Sequence, residues 1–227
     1  MSQLVTVTEK DLYTLIQMDD GKANALSFAM LEQLNGALDQ AAQAAKVVVL
    51  AGRQGKFSAG FDLSVMGQGG EAMIELLRNG AGLSRRLLNF ETPVILAVSG
   101  HALAMGALLL LSADYRIGVD GNYKLGLNEV AIGMTLPHFG VELARARLSK
   151  RHLNTAVGLA KIYEPSGAVA AGYLDEVVAE DQLLPRAEAL AEQLAGLDMQ
   201  AHKNTKARVR SELNAALVVA LQAELGA

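Results

Sequence analysis

The chain has 227 residues, 51% of them hydrophobic and 4% aromatic, with no cysteine and a formal net charge of −4. That length fits one domain, or one domain with a small appendage, around an aliphatic, alanine-rich core. The missing cysteines exclude disulfides, thiolate metal sites and thiol nucleophiles, and no basic block or basic–aromatic pattern points to nucleic acid. The first residues lack a basic stretch followed by an apolar one, so the expectation is a cytoplasmic protein without a signal peptide.

Residues 4–8 and 12–18 are β-rich runs around Glu9-Lys10-Asp11, which predicts a hairpin, with turn chemistry following at Asp19-Asp20-Gly21-Lys22. Ser27 is an N-cap candidate for a helix to about residue 45 that carries Leu31, Leu34, Leu38 and Ala41 on one face. Residues 46–51 read as a short buried strand and 52–56 as an exposed loop. Small residues come next, in Phe57-Ser58-Ala59-Gly60-Phe61-Asp62-Leu63. Residues 66–71 are glycine-rich and expected to be mobile. A helix over 71–89 uses Ile74, Leu77, Ala81 and Leu88 as its apolar stripe.

Residues 93–114 carry no charge before Asp114. The run reads as a buried strand (94–98), a tight turn at Ser99-Gly100 and a buried helix (102–113). A helix apolar on every side belongs inside a domain or a bilayer. Pro93, Gly100 and His101 interrupt the run short of the about 20 residues a membrane span needs, which favours the core. The turn before that helix is chemically useful, because first-turn N–H groups have no intrahelical partner and Ala104-Met105-Gly106 leave room for a ligand oxygen.

Beyond Asp114, a strand is predicted over 115–119, an extended piece over 123–127 and a loop through Gly133. Helices follow from His138 to Arg147, with Pro137 at the start, and from Ser149 through Ala160. Ser166 is expected to cap a short helix, residues 175–178 to form a late strand, and 184–197 and 200–225 to form two closing helices. Lys203, Lys206, Arg208 and Arg210 make a basic stripe expected to face solvent. Strands recurring between helices argue for an α/β fold with helices outside the sheet turns.

Three stretches together resemble the enoyl-CoA hydratase/isomerase (crotonase) superfamily: Asn24-Ala25-Leu26-Ser27; Gly55-Lys56 through Leu63; and Pro93 through Gly100, Gly106 and Asp114-Tyr115-Arg116-Ile117, on to Leu125-Gly126-Leu127-Asn128-Glu129-Val130-Ala131-Ile132-Gly133. Residues 168–178 add a further collinear match. The resemblance implies a spiral of ββα units over 1–178 and a helical lid or trimerisation region over 179–227, within the same domain or as a small appendage. It also implies a homotrimer or dimer of trimers, and an acyl-coenzyme A substrate with no separate cofactor, metal, membrane or nucleic acid.

In that family two backbone N–H groups hold the thioester oxygen, and the motif match assigns them to Ala59 and Met105. Hydratases use two glutamates. Here Leu108 stands at the first position and Glu129 at the second, the pattern of one-glutamate enoyl-CoA isomerases. The resemblance further implies substrate contacts along Lys22, Ala23, Lys56, Phe57, Gly60, Phe61, Asp62, Leu63, Gly106, Leu108 and His138. A hydratase or related acyl-CoA lyase or hydrolase, and a non-catalytic acyl-CoA-binding protein, are the alternative readings.

Overall fold

The computed structural model describes residues 2–226. Strands β1 (Val5–Glu9) and β2 (Tyr13–Met18) form the antiparallel hairpin, with Val5 opposite Met18. Helix α1 (Phe28–Ala44) begins where the Met30 N–H donates to Ser27 Oγ at 3.2 Å, and it buries Leu31, Leu34, Leu38 and Ala41. Then follow β3 (Val47–Ala51), β4 (Gly55–Ser58), α2 (Leu63–Met66), α3 (Gly70–Leu88), β5 (Val94–Val98), β6 (Gly100–Leu103), α4 (Met105–Leu110), β7 (Tyr115–Val119) and β8 (Leu125–Gly126). The remainder is α5 (His138–Arg147), α6 (Lys150–Val157), α7 (Pro165–Ala171), β9 (Glu176–Val178), α8 (Leu183–Ala195), α9 (Met199–Val209) and α10 (Ser211–Leu225).

Two sheets result, one in the order β1-β2-β3-β5-β7-β9 and a smaller one in the order β4-β6-β8. From β2 onward the pairings within both sheets are parallel. Each of β3, β5 and β7 hands the chain to a short strand of the small sheet before a helix, so the ββα unit repeats. β3 and β5 are buried along their whole length because both faces are covered. On one face Val48, Leu50, Leu96 and Val98 join α1, α3 and α4; on the other Val47, Val49, Ile95 and Ala97 meet Leu183, Ala187 and Leu190 of α8. Each fully buried aliphatic side chain contributes about 1.5–3 kcal/mol. Among the described residues no helix is long and apolar enough to cross a membrane.

Several local expectations are corrected. The apolar run after Ser99 does not turn straight into a helix. It first forms β6, whose neighbourhood is fixed by Ala102 N–H donating to Lys124 O (3.0 Å) and Ala104 N–H to Gly126 O (3.1 Å), and the helix starts only at Met105. The supposed loop 52–56 likewise contains the start of β4. Helix α6 stops at Val157, and α7 starts with Pro165 in its first turn after Glu164 rather than at Ser166. The last predicted helix is two helices broken at Arg210. Arg210 and Lys206 are buried, not solvated, and both reach Asp114, at 2.8 and 2.6 Å.

Candidate active site

The site is assembled by a polar staple between two loops. Asn24 is fully buried at φ 51°, a left-handed conformation that Asn tolerates better than most residues. Its side-chain amide donates to Met18 O (3.1 Å) and Phe57 O (3.2 Å), and its Oδ1 accepts the Asp20 N–H (3.0 Å). Ser58 Oγ donates to Asn24 O at 2.8 Å and accepts the Gly60 N–H at 3.2 Å. The loop after β2 is thereby locked to the end of β4.

That locking decides which amide is free. The Ala59 N–H donates to Ala23 O at 3.0 Å, so the assignment of Ala59 as an oxyanion donor is corrected. One step on, a parallel bridge joins Leu26 and Phe61. It uses the Leu26 N–H on Gly60 O (2.8 Å) and the Asp62 N–H on Leu26 O (3.3 Å). The Phe61 N–H takes no part and has no acceptor among the described residues.

Across from it, Ala104 turns the chain into α4 at φ 50° and ψ −124°. Met105 is the first helical residue, and its N–H also has no acceptor among the described residues. Gly60 keeps the space over that amide open. At φ +96°, a Cβ on residue 60 would stand 3.2 Å from Met105 N and 2.8 Å from Ala104 Cβ. Gly106 seats α4 on β4, since a Cβ there would lie 2.4 Å from Ser58 O.

These turns line a cavity of about 150 Å³ with Ala59, Phe61, Leu63, Met66, Leu77, Ala104, Leu108, Asn128, Glu129, Ile132, Met134 and Pro137. Among the described residues Glu129 is its only carboxylate. The residue is 7% exposed, and Oε2 has no hydrogen-bond partner among the described residues. Burial pushes its carboxyl above the ordinary glutamate range, against a smaller lowering by its own backbone N–H. Its carbonyl accepts the Ile132 (3.0 Å) and Met134 (2.9 Å) N–H groups, which winds residues 130–132 into a 3-10 turn and holds the side chain at the cavity. Leu108, 1% exposed, contributes an aliphatic wall. A larger cleft of about 340 Å³ at the ends of β2, β3 and β5 contains none of the expected site residues.

The other expected contacts divide. Leu63 is 70% exposed at the cavity mouth. Phe57 is buried core, and Ala23 serves through its carbonyl. Asp62 caps α2 by accepting the Ser64 N–H at 2.9 Å. Lys22 is exposed, its carbonyl held by Arg53 at 2.8 Å, and Lys56 lies opposite His101 in the small sheet; neither lines the cavity. His138 is exposed, with its backbone N–H on Glu224 at 2.7 Å, and its neighbour Pro137 lines the cavity instead. Sequence reasoning did not single out Asn128, Ile132, Met134 and Pro137 as lining residues. Met66 and Leu77 fall within residues 66–83, the variable stretch the sequence marked as shaping an acyl pocket, and Ala104 within the turn it marked as open to a ligand oxygen. No group of three or more acidic or histidine side chains suited to a metal gathers among the described residues.

A repeated ββα spiral thus brings one buried glutamate to a cavity beside two turns whose amides have no acceptor among the described residues, and comparison with known proteins gives the family. The chain belongs to the enoyl-CoA hydratase/isomerase family, whose model matches residues 9–227. Among solved structures it is similar to an enoyl-CoA hydratase/isomerase family protein from Pseudomonas syringae, at 45% identity and a TM-score of 0.96 over 98% of this chain and 97% of that one. It is also similar to a Mycobacterium tuberculosis protein called an enoyl-CoA isomerase in one structure and a probable enoyl-CoA hydratase in another, at 40% identity and a TM-score of 0.95, over 100% of this chain and 99% of that one in the first. The mouse mitochondrial enoyl-CoA delta isomerase 1 is 31% identical over 158 residues, covering 69% of this chain and 55% of that protein. The chain spans 55–60% of the length of the mammalian isomerases it matches. Curated relatives carry hydratase names as well as isomerase names.

Proposed function

We propose that this protein is an enoyl-CoA isomerase that converts a 3-enoyl-CoA into the conjugated 2-enoyl-CoA. The Glu129 carboxylate takes a proton from the alpha carbon. The electron pair left behind spreads over the double bond and the thioester carbonyl as a dienolate. The N–H groups of Phe61 and Met105 donate to its oxygen, where preorganised donors stabilise developing charge by several kcal/mol. Protonated Glu129 then returns the proton to the gamma carbon, so no water and no second acid are consumed.

The observation that carries this reading is the isolation of Glu129 in an apolar cavity with Leu108 as a wall. Adding water to a double bond asks for one group to orient the nucleophile and another to handle the proton. Moving a double bond asks for one base, and a carboxylate whose pKa is raised by burial is the stronger base for it.

The test supplies purified protein with a 3-enoyl-CoA and follows the absorbance of the conjugated product. The expected result is turnover without 3-hydroxyacyl-CoA, lowered about 10²–10⁴-fold by Glu129→Gln. Undiminished turnover in that variant rejects the proposal, as does the 3-hydroxy compound as main product.

A further inference from the structure

Helix α3 carries Gly80 and Gly82 in its interior, where a glycine costs stability relative to alanine. The two differ in what surrounds them. Gly82 is exposed, and a Cβ there would meet nothing within 4 Å. Gly80 is buried, and a Cβ there would stand 2.4 Å from Phe61 Cζ and 2.5 Å from Phe61 Cε1, with Met105 Cε at 3.4 Å. Glycine at position 80 is what lets the edge of the Phe61 ring lie against the backbone of α3. The two residues whose amides have no acceptor thus send their side chains to one notch.

That notch sets where the cavity ends. Phe61 lines the cavity together with Leu77, which lies one turn before Gly80 on the same face of α3. Leu63 and Ile132 are exposed lining residues and mark the mouth, whereas Leu77 and Leu108 are buried and mark the closed side. Farther along α3, Ala81 and Ser84 are buried and are not among the lining residues, so the ring is backed by packed core. At about 150 Å³ the cavity has the size that accepts a six-carbon molecule such as benzene, well below the about 300–1,000 Å³ of pockets for drug-sized ligands.

We infer that the Phe61 ring, seated in the Gly80 notch, is the stop for the acyl chain, and that the substrate is a short-chain 3-enoyl thioester of about four to six acyl carbons. The inference rests on the acyl-thioester reading above and adds the length of the chain to it. The double bond of such a group ends at its gamma carbon, which leaves room for only a carbon or two beyond. Residue 61 then acts at both ends of the acyl group. Its N–H faces the reacting oxygen and its ring bounds the tail, so a change of side chain alters length without removing the donor.

The experiment measures binding of saturated acyl-CoAs, from butyryl- through hexanoyl-, octanoyl- and decanoyl-CoA, by titration calorimetry. Each methylene buried in an apolar site tightens binding about fourfold. The expected series tightens about tenfold or more from butyryl- to hexanoyl-CoA and then changes less than about twofold per step. Affinity that keeps climbing through decanoyl-CoA means a tunnel the ring does not close, and overturns the inference without any variant. Phe61→Ala moves the break to octanoyl- or decanoyl-CoA, and Phe61→Leu, the milder change, moves it part of the way. Gly80→Ala drives the ring inward, so that hexanoyl-CoA binds no tighter than butyryl-CoA, while Gly82→Ala leaves the break in place. Comparing the two ligands within each protein cancels any general loss at the thioester. A break that the Phe61 and Gly80 variants leave unmoved overturns the inference. The titration needs no turnover. A protein that shows the break yet fails to convert 3-hexenoyl-CoA overturns the isomerase reading alone, and one that converts it while binding ever longer chains more tightly overturns the stop alone.

Discussion

Two carboxylates, Asp114 half-buried and Glu129 buried, flank the six-residue helix α4 and are treated in opposite ways. Beyond its C-terminal end, Asp114 accepts the Val94 N–H (2.8 Å), Lys206 Nζ (2.6 Å) and an Arg210 guanidinium nitrogen (2.8 Å). The same cations and their neighbours cover the carbonyls that end the helix. Arg116 donates to Leu110 O at 3.3 Å, and Arg147 and Arg210 donate to Ala113 O at 3.1 and 3.3 Å, where positive charge complements the helix dipole. At the N-terminal end Glu129 shares the cavity with Leu108, with no cation against it among the described residues. A carboxylate whose bonds are already made holds chains together. One left short of partners can exchange a proton.

The sharpest way to break this contrast is to remove the compensated partner. Asp114→Ala leaves Lys206 and Arg210, each 8% exposed, buried without their counter-charge. Breaking such a pair from one side costs about 3–5 kcal/mol. Urea unfolding is therefore expected to show a loss of that size. A change below about 1 kcal/mol would mean the cluster is solvated and the contrast false.

Glu129→Gln is expected to do the reverse, and pH exposes it. A carboxyl with a raised folded-state pKa binds its proton more tightly folded than unfolded. Stability therefore falls as pH rises from the ordinary glutamate value through the raised one, and stays lower above it. Glutamine has no such dependence. The variant should be more stable than the parent at pH 8, with the gap closing toward pH 4. Parallel stability curves across that range would show that Glu129 is not desolvated in solution.

The same contrast explains what the sequence made legible. Glu129, Leu108 and Met105 could be placed because spacing within the motifs survives in one dimension, and Ser27 could be placed because capping is local. The free amide was not legible. Whether Ala59 or Phe61 keeps its N–H depends on Ala23 O and the Leu26 bridge, which arrive from more than thirty residues away. The basic stripe in α9 and α10 was misread for the same reason: its two buried members answer to Asp114, a partner no helical periodicity reveals. β6 was hidden because alanine and leucine suit a short buried strand as well as a helix, and only the pairing with β8 decides between them.

The smallest effect tests the working end of α4 itself. Ala104 holds φ 50° and ψ −124°, a region that a side chain enters only under strain of about 1–3 kcal/mol. Replacing it by Gly removes that strain but gives the unfolded chain more freedom, which costs about 0.4–1 kcal/mol. The first term is the larger, so Ala104→Gly should gain about 1 kcal/mol, read as a rise of roughly 2–4 °C in Tm. Turnover should fall a few-fold, because the neighbouring Met105 N–H loses the rigid step that aims it beside Gly60. A lower Tm would show that no strain is held there. A higher Tm with unchanged turnover would separate the strain from the amide's aim and leave Gly60 as the feature that keeps the donor accessible.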